Sequence, residues 1–376
     1  MERRFLAARL DWERRVESVG LTYHHTGANI YWDETVYYRF NAAEVDQLEE
    51  ATDALHQLCL TAVQHIIDHG RFAELHIPPE AVPVIKASWE AGEPTLYGRF
   101  DIAFDGQGPP KLLEYNADTP TALVEAAVAQ WYWLQDVFPK SDQFNSIHER
   151  LVDAWKAMAP DGPVHFGYLA VGDGEEEMTA TYLRDTAEQA GLATVAVEMQ
   201  DIGWDAGAGR FVDQAGEPIR WLFKLYPWEW LVREDFGANA LATYQQVRWV
   251  EPIWKMLLSN KGILPILWEL NPGHPNLLPA YFETPHGLQH YVRKPLLGRE
   301  GANVTYVSPK RIATSGGRYD GDGYIYQGLG PVPEMGGKYP VLGTWVVAGQ
   351  AAGLGIRESN GPITDNSSRF IPHLFD

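Results

Sequence analysis

An α/β fold is what the sequence predicts, on three observations. The first is a strand–helix–strand grammar: residues 164–171 (VHFGYLAV) read as a buried strand, Gly172-Asp173-Gly174 as a turn, 175–190 as a helix and 193–199 as the next strand, which implies a parallel sheet. The second is a charged hairpin over residues 96–121 (LYGRFDIAFDGQGPPKLLEYNADTPT). The third is a C-terminal series of short strand-like runs at 291–295, 323–327, 342–347 and 352–357. These are expected to end at Ile363-Thr364-Asp365-Asn366, ahead of a polar Ser-Ser-Arg.

Taken in chain order, the first regular element is a helix. Val45, Leu48, Leu55, Leu58, Ala62 and Ile66 keep helical spacing and Asn41 stands where an N-cap would, so a helix is expected over about 42–68 with Cys59 on or near its buried side. In the hairpin, alternation puts Arg99 and Asp101 on one face and Phe100 and Ile102 on the other. The return strand puts Leu112, Glu114 and Asn116 on one face and Leu113 and Tyr115 opposite. Asp-Gly-Gln-Gly-Pro-Pro supplies the turn. A symmetric loop pairs Arg99 with Asn116 and Asp101 with Glu114. Opposed carboxylates destabilise a strand pair unless a cation lies between them, and hard oxygen ligands suit Mg²⁺. The alternative is a solvated hairpin face closing in an Asn-Ala-Asp-Thr-Pro turn. A second helix is expected over about 121–138.

Beyond the strand–helix–strand unit, Glu175-Glu176-Glu177 would repel a pyrophosphate at the helix start, and the glycines do not spell a dinucleotide fingerprint, so this unit reads as scaffold or as a substrate-side subdomain. In 223–234 (FKLYPWEWLVRE), Glu229 is placed either to recognise a substrate amine or within a Trp-lined packing turn. Lys261 precedes the apolar helix expected at 262–270, where anions are favoured, and Lys294 lies on the short strand 291–295. Gly298-Arg299-Glu300-Gly301-Ala302-Asn303-Val304 follows, a glycine-rich loop that is either a phosphate cover or an ordinary hairpin turn. It contains no GxxxxGK[ST] pattern. Two phosphate-reaching lysines with an Asp/Glu/Asn oxygen cluster are the parts needed to bind ATP with Mg²⁺.

Thirty Lys and Arg against fifty Asp and Glu give a formal charge of −20, which disfavours nucleic acid and tolerates a cationic small substrate. A single cysteine excludes an internal disulfide and any cysteine-based metal cluster, fitting a reducing cytoplasm. No stretch approaches a membrane span, and no secretory leader is evident. Fourteen tryptophans without a repeated spacing read as core.

Together the stretches R-F-D, L-L-E-Y-N-A-D-T-P-T, K-L-Y-P-W-E-W, S-N-K, N-L-L-P-A-Y-F, K-P-L-L-G-R-E-G-A-N-V and G-I-R-E resemble the synthetase domain of the glutathionylspermidine synthetase family, close to its stand-alone members described as acid–amine ligases. The motifs occur in family order over nearly the whole chain. The resemblance implies an ATP-grasp fold of that type with a βαβ pre-ATP-grasp subdomain, and metal ligands that precede the ATP lysines. It implies that Asp101, Glu114 and Asn116 hold Mg²⁺, that Lys261 and Lys294 meet ATP phosphates, and that Gly298, Gly301 and Asn303 belong to a lid loop. Gln327, Ile363, Thr364 and Asp365 would lie near the nucleotide, and Arg99 and Arg357 would stabilise the transferring phosphoryl and acyl groups. Thr119 and Glu229 are the best candidates for substrate contacts.

The organisation expected is 1–160 with the metal-binding hairpin, 161–222 as the substrate-side unit, and 223–376 as the ATP-binding part with its lid at 294–304. The activity implied is ATP-dependent ligation of a peptide-like acid to a polyamine-like or other small amine through an acyl phosphate. The N-terminal cysteine amidase of the bifunctional bacterial members has no plausible motif here, so product hydrolysis is not predicted. Two rival readings are a non-catalytic nucleotide-binding protein and a carbohydrate-active protein using Asp101 and Glu114 with tryptophan platforms. The second leaves both lysine contexts unexplained.

Overall fold

Five antiparallel strands, in the order Arg369–Ile371, Gln350–Ser359, Tyr339–Val347, Tyr97–Ala103 and Lys111–Asn116, form the central sheet of the computed structural model, which describes residues 1–170, 174–319, 321 and 323–376. The hairpin therefore lies at one side of this sheet, with its first strand buried along its whole length. Its register is the expected one, Arg99 opposite Asn116 and Asp101 opposite Glu114. Between Asp101 and Ile102 the register slips, so that Ile102 faces Leu112 and Leu113 is the extra residue of a bulge. The bulge corrects one expectation. Leu112 joins Phe100, Ile102 and Tyr115 in the core, and Leu113 turns to the side of Glu114 and Asn116.

The helix Ala42–His69 starts at a capping box, with the Asn41 side chain accepting from the Glu44 N–H and Glu44 accepting from the Asn41 N–H. It ends at Gly70, whose φ of 68° is left-handed. Its apolar face covers the strands Tyr339–Val347 and Gln350–Ser359. Cys59 is fully buried there, and burial pushes its thiol pKa up, so it is an inert core group. The second helix begins later than expected, at Leu123, and runs through a π-helical turn, Glu125–Ala129, into Gln130–Val137. The delay has a local cause. The Thr121 carbonyl accepts from Arg99, and Ala122 is held at φ 63°.

Four parallel strands, in the order Arg248–Val250, Trp221–Lys224, Val164–Tyr168 and Thr194–Glu198, form a second sheet with the helix Glu175–Gln189 as crossover. The expected strand–helix–strand unit is thus present, and the sheet continues past residue 222. The expected strand end at Val171 and the turn at Gly172 and Asp173 lie outside the described residues. A third, antiparallel sheet orders Ala280–Phe282, Tyr324–Gly328, Tyr291–Pro295, Thr305–Val307 and Ile312–Thr314, and the glycine-rich loop joins the third and fourth of these. The chain does not leave the sheets at Asn366. It turns through the polar segment, re-enters the central sheet as Arg369–Ile371, and then runs as His373–Phe375 parallel to Val36–Phe40. Trp32, Trp133, Trp155, Trp228 and Trp345 are among the largest fully buried side chains, in line with a core role for the tryptophans.

Two buried ion pairs tie the hairpin to the ends of the parallel strands. At its start, Glu251 accepts from the backbone N–H groups of Leu96 at 3.0 Å and Tyr97 at 2.9 Å and from Lys255 at 2.6 Å, while Lys255 also donates to the Tyr97 carbonyl. Just past its end, Asp118 accepts from Lys224 at 2.7 Å and from the Trp228 N–H at 3.0 Å. Removing one partner of such a pair strands the other in a dry interior. Glu251→Ala is therefore expected to cost about 3–5 kcal/mol in urea unfolding, and the double variant Glu251→Leu, Lys255→Met much less. Wild-type stability in the single variant would refute this role.

Candidate active site

The central sheet, the parallel sheet and the lysine-bearing sheet meet around a cavity of about 280 Å³. It is bordered by Arg99, Asp101, Glu114, Asn116 and Thr119 from the hairpin and its exit, by Lys261, Lys294 and Gln327, and by Gly298 to Ala302 of the glycine-rich loop. Arg357, Ile363 and Thr364 close it from the C-terminal side. Of the other candidates, Glu229 is buried beside the cavity, and Asn303 and Asp365 do not border it. Asn303, at φ 55°, instead shapes the loop, its side-chain oxygen accepting from the Tyr319 N–H. Asp365 builds a local turn by accepting from Ser367.

Asp101 is the most constrained of these groups. Arg99 donates from Nε to Oδ1 at 2.9 Å, and Arg357, two strands away, donates from Nη2 to Oδ2 at 3.1 Å. Burial alone would raise the Asp101 pKa, but the two guanidiniums outweigh it and hold the carboxyl below the usual carboxylate range. Arg99 is itself fixed, donating from Nη1 to the Thr121 carbonyl at 2.7 Å with its guanidinium over the Trp345 ring.

The lysines interlock with the bulge. Lys294 donates to the Leu113 carbonyl at 2.7 Å and to Gln327 Oε1 at 2.9 Å, while Gln327 Nε2 donates to the Leu112 carbonyl at 2.9 Å. The Leu113 carbonyl of the bulge and the Gln327 amide oxygen, both uncharged, thus hold the Lys294 ammonium. Burial lowers the Lys294 pKa to about 8, with Glu114 opposing and Lys261 reinforcing the shift. Lys261 donates to Glu114 Oε1 at 2.7 Å and to the carbonyl of Gly298, bridging hairpin and loop.

The loop carries a residue the sequence reading left without a role. Arg299 donates to Thr119 Oγ1 at 2.9 Å and to Glu229 Oε1 at 2.7 Å and lies over the Trp230 ring, so it joins the two residues proposed for substrate contacts. Its place inside the glycine-rich run was visible in the sequence, but its partners are 180 and 70 residues away. Glu175 and Glu176, in the unit read as scaffold or as a substrate-side subdomain, border the cavity from the parallel-sheet side. The donor set tests whether Mg²⁺ fits. Two carboxylates and an amide oxygen from paired strands border the same cavity as the lysines, and each carboxylate oxygen keeps a lone pair beyond the hydrogen bonds described above, so the residues suit a hard divalent cation.

Similarity to known proteins gives the family and the fold. The family model described as glutathionylspermidine synthase preATP-grasp matches residues 3–376. A Haemophilus influenzae protein named, provisionally, an acid–amine ligase is 41% identical, over 98% of this chain and 97% of its own length. Trypanothione synthetase of Crithidia fasciculata is 32% identical over 84% of this chain, and the bifunctional glutathionylspermidine synthetase/amidase of Escherichia coli is 29% identical over 92%. The chain spans only 53% and 60% of those two proteins. The solved structure of a glutathione synthetase-like effector from Globodera pallida superposes with a TM-score of 0.62 over 98% of this chain and 96% of its own, at 12% identity, and shares the fold. Fold and relatives together define an ATP-dependent carbon–nitrogen ligase of the ATP-grasp type. The chain belongs to the glutathionylspermidine synthase family. Among the described residues no helix is long and apolar enough to cross a membrane.

The loop offers a test that leaves the charged groups untouched. Gly301 has φ 68°, and a Cβ there would fall 2.3 Å from the Thr364 carbonyl oxygen. Gly301→Ala should displace the loop and lower the ligation rate by about 10²-fold, the scale of a small misplacement, with the melting temperature little changed. An unchanged rate would show that the loop does not position the reactants.

Proposed function

We propose that the chain joins a peptide-like carboxylic acid to a small amine through an acyl phosphate. One observation carries the reading: the opposed carboxylates Asp101 and Glu114, two lysines and three arginines border a single cavity that is also lined by a glycine-rich loop. A free carboxylate resists attack by an amine because oxide is a poor leaving group. In the proposed reaction a carboxylate oxygen of the acid attacks the γ-phosphorus of ATP, and the bond from that phosphorus to the β,γ-bridging oxygen breaks to release ADP. A neutral amine then adds to the acyl carbon, phosphate leaves with the transferred oxygen, and the nitrogen loses its proton to the medium. Lys261 and Lys294 would receive the phosphates, and Arg99 and Arg357 would stabilise charge developing at the acyl and phosphoryl oxygens. Asp101, Glu114 and Asn116 would hold Mg²⁺, which when bound neutralises phosphate charge. No protein nucleophile is required.

For the substrates, the names of the relatives support glutathione-like acids and polyamines as the first candidates. Glu175 and Glu176, bordering the cavity from the parallel-sheet side, suit an ammonium group of the amine. Glu229 is engaged by Arg299, which makes that pair a support for the acid or for the loop.

Oxygen labelling tests the mechanism whatever the substrates prove to be. Acid labelled with ¹⁸O in its carboxylate must pass one label into the released phosphate, and unlabelled phosphate during productive ligation would refute the acyl phosphate. Asp101→Ala and Glu114→Ala should each abolish ligation with the fold retained by circular dichroism. Turnover at the wild-type rate in both would sink the metal assignment.

The Lys294 environment adds a pH dependence. With its pKa near 8 in the free protein, a bound polyphosphate favours the charged form and raises that value, so nucleotide binding above pH 8 should take up a proton and weaken as pH rises. Calorimetry in buffers of different ionisation enthalpy measures the uptake, and Lys294→Met should remove it. Equal uptake in that variant would rule Lys294 out as the titrating group.

A further inference from the structure

Away from the cavity, the N-terminal segment gathers a second set of ligand atoms. The short helix Trp12–Glu17 is followed by a loop into the strand His25–Thr26, which pairs with Asn29–Ile30. The rings of His24 and His25 both lie against Trp12, with centroids 5.6 and 5.7 Å away. Their Nδ1 atoms face each other at 2.7 Å. On the outer side His24 Nε2 meets Glu17 Oε1 at 3.0 Å, and His25 Nε2 lies 3.7 Å from Glu13 Oε1. One ligand atom each from Glu13, His24 and His25 falls within 4.8 Å of the others, and this is the only such group of three among the described residues.

The arrangement constrains where the ring protons can be. A carboxylate beside each Nε2 asks for a hydrogen on that nitrogen, as in metal sites where a histidine ligand donates its other N–H to a carboxylate. Both neutral rings then turn an Nδ1 lone pair toward the same point at hydrogen-bond distance, which is repulsive unless something positive lies between them. A single proton can serve. A borderline divalent cation serves without making either ring imidazolium, since such ions bind neutral imidazole nitrogen. At tetrahedral zinc two nitrogens at about 2.05 Å stand roughly 3.3 Å apart, so the rings need open by little more than about half an ångström. Glu13, more than half exposed, can exchange its contact with His25 Nε2 for the metal as a third ligand, leaving that N–H to solvent, and water can complete the set.

We propose that Glu13, His24 and His25 form a second cation site that takes one Zn²⁺ or a similar borderline transition metal, with Glu17 orienting His24. The site is a clip. It joins the helix Trp12–Glu17 to the strand pair His25–Ile30, from which the chain runs directly into Tyr31 and Asp33, both bonded to the Phe370 backbone of the central sheet. The site is independent of the magnesium ligands, being built from imidazole nitrogen where the cavity offers only oxygen.

Calorimetric titration of the full chain with Zn²⁺, in buffer already containing millimolar Mg²⁺, tests it. One equivalent should bind with micromolar or tighter affinity and raise the melting temperature. The His24→Ala, His25→Ala double variant should lose this equivalent, and Glu17→Gln should weaken it by about 10-fold, the scale for losing an outer partner of a ligating histidine. Affinity in the wild type should also fall as pH is lowered, because ligand nitrogens must be unprotonated; this measurement needs no variant to fold. No zinc bound at tens of micromolar, or equal binding by the double variant, would overturn the proposal.

Discussion

The geometry of the cavity depends on a hairpin held at both ends by buried ion pairs. Glu251 and Lys255 grip the backbone of Leu96 and Tyr97 where the first strand starts, and Lys224 with Asp118 fixes the exit, only two residues beyond Asn116. Taking such charges out of water costs several kcal/mol per ion, so these pairs are poor devices for stability alone. What they supply is placement. Both come from the ends of parallel strands, Glu251 directly after Arg248–Val250 and Lys224 at the close of Trp221–Lys224, so the site lies at the carboxyl end of the parallel sheet, where open α/β sheets present ligands.

Within that frame the bulge at Leu113 sets the chemistry. A regular ladder would turn Leu113 into the core. The slip instead brings the Leu113 carbonyl to the ammonium of Lys294 and leaves Glu114 facing Asp101. Around these two carboxylates stand Arg99, Arg357, Lys261 and Lys294, four cations against two anions. A chain of formal charge −20 therefore gathers four cations around the two hairpin carboxylates, where a polyphosphate would be received, and keeps further acidic groups, Glu175 and Glu176, where an amine would.

How much of this was legible in the sequence follows from the range of each interaction. The pairing of Arg99 with Asn116 and Asp101 with Glu114 could be counted, because register in a hairpin is a local property of two strands and one loop. The helix from Ala42 was announced by its own capping residues, Asn41 and Glu44. The bulge was not, since it is sustained by a lysine 181 residues away, and neither was the late start of the second helix, which follows from Arg99 taking the Thr121 carbonyl. The strand Arg369–Ile371 has three residues and no alternation to read, and it exists because the edge of Gln350–Ser359 was there to pair with it. Arg299 stood in plain view in the loop, but its partners Thr119 and Glu229 are brought to it only by the fold.

Lys294 shows best how the protein prepares for a ligand. In the free protein its ammonium is buried and its two hydrogen-bond acceptors, a carbonyl and an amide oxygen, carry no charge, so burial drives its pKa well below that of an ordinary lysine. The carboxylates that could compensate it are engaged elsewhere, Glu114 by Lys261 and Asp101 by the two arginines. The charge is thus only partly satisfied by the protein, and the donors are already oriented by the bulged strand and by Gln327. An anion entering the cavity meets ammonium and guanidinium groups whose desolvation has been paid for during folding, and it need not reorganise them. That is the electrostatic preorganisation on which phosphoryl transfer without a protein nucleophile relies.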